Sequence, residues 1–84
     1  MKNNAIRKTL SGAYVEFEFD KKVSNYFVKN FTNSFVLATF DPEKIDADAF
    51  KIPSQIGEEV QMPFGKSNKI YIKGTGEVEV QQLA

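Results

Sequence analysis

The stretch Lys69-Ile70-Tyr71-Ile72-Lys73-Gly74-Thr75-Gly76-Glu77-Val78-Glu79-Val80 (KIYIKGTGEVEV) alternates apolar and polar residues on both sides of a Gly-Thr-Gly centre. A period of two is the mark of a strand with one buried face. A two-residue loop at Gly74-Thr75 would set Ile72 opposite Glu77 and Ile70 opposite Glu79, mixing core and solvent faces as a one-residue slip does. A three-residue loop sets Ile72 opposite Val78, Ile70 opposite Val80 and Lys73 opposite Glu77. Such loops end in a left-handed residue, and Gly76 stands at that place. The spacing therefore predicts a hairpin with Gly74 and Gly76 as its structural turn. Ile70, Ile72, Val78 and Val80 face the core, and Lys69, Tyr71, Lys73, Glu77, Glu79 and Gln81 face water.

The same period recurs upstream. Val15, Phe17 and Phe19 alternate with Glu16 and Glu18, which reads as a half-buried strand. Asn25 to Phe31 (NYFVKNF) reads as a second, with Phe27 and Phe31 on one side and Tyr26 and Val28 on the other. Phe35 to Phe40 (FVLATF) is apolar on both faces and belongs centrally or beneath another layer. Asp41-Pro42 permits one helical turn before Ala49. A brief strand is expected before Pro53, and a weak edge strand before Pro63. About seven short strands at ~8–12-residue spacing predict an all-β fold: a small antiparallel β-sandwich, jelly-roll-like, or alternatively a small β-barrel. Residues 13–84 form the single domain in this reading. Residues 1–12 form a flexible N-terminal arm, in which Ile6 and Leu10 are apolar anchors for a neighbouring molecule.

Composition narrows the function. The 84 residues hold eight Phe and three Tyr, no His and no Cys, and Arg7 is the only arginine. Thiolate and imidazole chemistry is thereby absent. Eleven basic and eleven acidic residues cancel, which argues against a nucleic-acid or anionic-lipid surface built on bulk positive charge. No apolar run approaches the ~20 residues that span a bilayer, and the polar N-terminus does not read as a secretory signal.

Three constellations have a chemical reading beside a plainer one. Asp41, Glu43, Asp46 and Asp48 supply oxygen ligands for calcium, but without the spacing or glycine of a calcium loop, so a solvated loop is the simpler reading. Tyr26, Phe27, Lys29, Phe31 and Phe35 with Lys21 and Lys22 resemble a stacking surface for single strands. The simpler reading is that these rings fill a core without Trp. Glu16 with Glu18, and Glu58 with Glu59, are carboxylate pairs on strands that read as solvated. No catalytic residue, cofactor or metal is expected, and the protein is not expected to be an enzyme.

Two stretches, Ser24 to Phe40 and Ile52 to Gln81, together resemble small β-rich proteins of phage and prophage genomes. The likeness lies in Asn25 to Phe31, Gly57 to Val60 and Lys69 to Val80, and it contains no catalytic motif. It implies a virion-associated structural role, as a decoration, fibre or neck component, located in the virion or in the host cytoplasm during assembly. The partners expected are a second copy or another virion protein, with no nucleic acid and no membrane. The alternative is a carbohydrate- or protein-binding module. Tyr14, Tyr26 and Tyr71, with Ile6 and Leu10, are the expected interface residues, because tyrosine pairs a large apolar body with a polar tip.

Overall fold

The alternating stretch is a single strand. A computed structural model, which describes residues 5–43, 46–63 and 65–83, contains six strands: β1 (Ala5–Val23), β2 (Asn25–Asn30), β3 (Val36–Thr39), β4 (Phe50–Ile52), β5 (Gly57–Gln61) and β6 (Ser67–Gln82). β6 runs without interruption through Gly74-Thr75-Gly76. The expected hairpin, and the role of Gly74 and Gly76 as its turn, are corrected. Ile72 pairs with Val15 and Ala38, and Val78 pairs with Lys8 and Asn30. Lys73 lies opposite Tyr14 and Leu37 rather than Glu77.

Gly-Thr-Gly marks the place where β6 changes partners. Along one side β6 pairs with β1 over almost its whole length. Along the other it pairs with β3 up to Lys73 and with β2 from Val78 onward. The two glycines let the start of β3 and the β2–β3 connection pack closely at this junction. A Cβ on Gly74 would come within 2.7 Å of the Val36 side chain, and one on Gly76 within 2.8 Å of Thr32. Gly76 also has a φ of 115°, which side chains rarely adopt. Running straight on gives each half of β6 a neighbour on both sides, whereas a hairpin would have paired the halves with each other.

β1 follows the same course. Its register with β6 shifts between Ser11 and Tyr14, a bulge at which Gly12 takes a φ of 102°. Residues 5–11 are therefore not an arm, because each pairs with β6. Leu10 is buried in the core and Ile6 packs against it, so both serve this chain's own interior. Met1 to Asn4 lie outside the described residues.

The strands form one antiparallel sheet in the order β4-β3-β6-β2-β5, with β1 on the far side of β6. β4 and β5, the ends of that path, come alongside each other, and the sheet nearly closes into a barrel. The all-β expectation holds in its barrel form. Among the described residues there are six strands, not about seven, and one sheet in place of two packed layers.

Even-numbered residues of β6 fill the interior: Ile70, Ile72, Val78 and Val80 are all buried, as expected. Phe17, Val28, Val36, Ala38, Ile52 and Val60 meet them from the other strands. Tyr26 is completely buried. Its ring stacks at a tilt on Phe19 at 5.6 Å and on Phe40 at 5.7 Å. Its hydroxyl donates to the Ser67 carbonyl and accepts from Gln82 Nε2, so the polar tip is satisfied inside. Burial raises its pKa above the ordinary tyrosine value.

Candidate functional site

β1 and β6 carry the outer face on which Tyr14 and Tyr71 stand, and part of the chain itself is fastened to this face. The β3–β4 connection contains a 3₁₀ turn at Asp46–Asp48, which meets this face through Asp46. Asp46 accepts a hydrogen bond from the Tyr14 hydroxyl at 3.1 Å and binds Lys73 Nζ at 2.9 Å. The Lys73 bond, then the Tyr14 bond, holds the Asp46 carboxyl below the ordinary aspartate range. Desolvation, followed by the Asp46 contact, pushes the Tyr14 hydroxyl up. Tyr71 donates to Glu16 at 3.4 Å, and desolvation followed by the Glu16 charge raises its pKa. Both hydroxyls are thus engaged within the chain. Tyr26 is removed from the expected interface altogether by its burial.

The exposed aromatics lie elsewhere. After β2 the chain turns through Phe31 to Phe35, against Gly76 and Glu77 of β6. Phe31 is 42 % exposed, Phe35 46 % and Ile56, in the neighbouring β4–β5 connection, 45 %. The loop that carries Phe31 and Phe35 is bolted down.

Asn30 is the centre of the fastening. It is buried, and its Nδ2 donates to the carbonyls of Ser34 (2.9 Å), Ile52 (3.1 Å) and Pro53 (3.0 Å). Its Oδ1 accepts from the Thr32 amide at 2.8 Å. Every polar atom of the amide is used, which gives the buried group its stability. The Phe31 amide donates to the Glu77 carbonyl at 3.1 Å.

The β4–β5 connection adds to this network. Ser54 Oγ donates to the Thr32 carbonyl at 2.7 Å. Gln55 Nε2 donates to the Phe31 carbonyl at 3.0 Å and the Thr32 carbonyl at 2.8 Å. Gln55 has a φ of 65°, a strained conformation for a side-chain-bearing residue that these bonds maintain.

The rings of Phe31 and Phe35 each carry a cation. The Arg7 guanidinium lies 4.5 Å from the Phe31 centroid and Lys51 Nζ 4.3 Å from that of Phe35. Arg7 is itself held between Glu77 at 3.5 Å and Glu79 at 4.0 Å, and Lys29 meets Glu79 at 3.7 Å. Phe27 lies across Gly57, where a Cβ would strike its ring. The expected stacking surface is thereby divided: Tyr26 fills the core, Phe27 covers a strand, and Phe31 and Phe35 remain outside. Sequence reasoning missed Asn30, Gln55, Ile56, Arg7 and Lys51 as parts of this surface. The alternation Tyr26, Val28, Asn30 against Phe27, Lys29, Phe31 was the signal that could have assigned the two faces.

A second feature is an open cleft of about 320 Å³ lined by Thr39, Phe40, Asp41, Asp48, Phe50, Met62 and Pro63. Phe40 joins it to the core, since the same ring packs on Tyr26. The carboxylates of the acidic loop do not converge: among the described residues no group of three or more His, Cys, Asp or Glu is placed to hold a metal ion. Among them, too, no helix is long and apolar enough to cross a membrane.

No family model, curated protein or solved structure matches this chain.

Proposed function

We propose that the protein is a non-catalytic docking module, which works by holding Phe31 and Phe35 in fixed positions beside Ile56 for a protein partner. One observation carries this reading. Three exposed apolar side chains stand on connections locked by a fully bonded, buried Asn30. Ordering a loop costs conformational entropy at the moment of binding, and a loop already ordered by the fold avoids that cost. Aromatic side chains on a fixed frame are the usual anchors of protein interfaces.

The partner that suits the surface is apolar where it meets the rings and acidic at its margin, where Arg7 and Lys51 lie. The resemblance to phage-encoded proteins makes a second copy, or another protein of a virus particle, the first partner to test. Glycan binding through Tyr14 and Tyr71 is less favoured, because both hydroxyls are engaged with Asp46 and Glu16.

Light scattering across a concentration series, with binding to isolated particle proteins, tests the reading. The Phe31→Ser/Phe35→Ser variant should keep its fold and lose association. Association that survives the double substitution, or a wild-type protein that stays monomeric and binds no particle protein, would overturn it.

A further inference from the structure

We propose that the cleft between the β3–β4 connection and the end of β5 is a binding site for an organic ammonium cation. The inference is independent of the docking surface, which lies on other residues. Its basis is the pairing of aromatic walls with carboxylates. Phe40 and Phe50 meet at 82° with their centroids 6.5 Å apart, so the cleft has a corner built of two rings. Met62 and Pro63 add apolar wall, and Asp41 and Asp48 bring negative charge to the margin. Among the described residues no basic side chain lines it. The negative ring faces of aromatic residues attract cations, and an alkylated ammonium adds apolar contact to that attraction. A cleft of this volume accommodates a small ligand.

The chain lays its own cations on Phe31, Phe35, Phe17 and Tyr14. Among the described residues none lies over Phe40 or Phe50, although these two have carboxylates beside them. Nor does any ion pair engage Asp41 or Asp48 among those residues. Asp41 is oriented by its own turn: Oδ1 accepts from the Glu43 amide at 3.1 Å, and the Asp41 amide donates to Thr39 Oγ1 at 3.1 Å. The corner therefore combines a ring surface, negative charge and an apolar floor, which together select a cation over a neutral or anionic group of the same shape.

The ammonium can belong to a free amine or to a lysine side chain of a partner, and the test separates the two. The probes are choline, its uncharged isostere 3,3-dimethylbutan-1-ol, and a short peptide containing trimethyllysine. Each is titrated into the whole chain and followed by the resonances of the Phe40 and Phe50 rings and the Met62 methyl. Saturable shifts with choline, weaker by roughly tenfold or more with the neutral isostere, are expected. Tighter binding of the peptide than of choline assigns the site to a partner's side chain, and the reverse assigns it to a free amine. Phe50→Leu, at a half-exposed ring, should keep the fold and weaken choline binding several-fold, and Asp48→Asn should do the same. Equal binding of choline and its neutral isostere, or no shift with choline at millimolar concentration, overturns the proposal.

Discussion

At the scale of the residue, Asn30 and Gly76 carry the most consequence. Asn30 joins four backbone groups from two segments, Thr32 and Ser34 in one and Ile52 and Pro53 in the other. Asn30→Ala removes these bonds and strands buried carbonyls, so a loss of about 2 kcal/mol or more is expected in chemical denaturation. An unchanged unfolding midpoint would show that the fastening contributes little. Gly76 is constrained twice, by its φ of 115° and by the 2.8 Å approach of Thr32 to a Cβ there. Gly76→Val should therefore destabilise the fold by more than about 1 kcal/mol. The glycine was legible as a left-handed position, but its role was not. A three-residue loop and a straight continuation leave Ile70, Ile72, Val78 and Val80 on the same face, because 72 and 78 have the same parity. Alternation alone cannot separate those two arrangements; the partners of each strand do so.

At the scale of the element, β1 was the one most misread. Arg7, Lys8 and Thr9 make its first half look polar, yet Ile6 and Leu10 hold the alternation and β6 supplies the pairing. Lys8 lies at an inward-facing register position and still reaches solvent. Its Nζ sits 5.3 Å from the Phe17 centroid and donates to the Glu16 carbonyl at 2.7 Å, so its stem covers the core while the charge stays wet. Leu10→Ala should cost roughly 2–5 kcal/mol as a core truncation, whereas a mobile arm would give almost no change in the unfolding midpoint. β3 to β5 were more legible. Pro53 and Pro63 mark ends just beyond β4 and β5, and the doubly apolar β3 does lie centrally, between β4 and β6.

The β3–β4 connection should respond to pH in a defined way. The Asp46 carboxyl is held below the ordinary value of 3.8, so its contribution is present above that value and is lost as the pH falls through the depressed one. Tyr14 has the opposite sign. Its pKa is raised above 10.0, so its contribution is present below 10.0 and is lost as the pH rises through the higher value. The Tyr14–Asp46 contact should therefore persist across the neutral range and open at both extremes. Proton resonances of the Tyr14 ring, followed from neutral pH into acid, should move together with the Asp46 carboxyl. An Asp46 that titrates at or above 3.8 would contradict the assignment.

At the scale of the whole molecule, the long β1–β6 ribbon covers a small core and leaves the β2–β3 connection fixed against β6 at Gly76 and Glu77. Composition conveyed much of this: many rings and no His or Cys made a packed β domain without imidazole or thiolate chemistry legible. Which rings stay outside was not legible, because Phe27, Phe31 and Phe35 have the same chemistry, and only the course of the loop distinguishes them. The central claim is that Phe31 and Phe35 are presented on a rigid frame, and amide hydrogen exchange tests it most directly. The Phe31 amide donates to the Glu77 carbonyl and the Thr32 amide to Asn30 Oδ1. Both should exchange as slowly as the amides of β2, with Asn30→Ala releasing the Thr32 amide first. Exchange of both at the rate of an unstructured peptide in the intact, folded protein would contradict it.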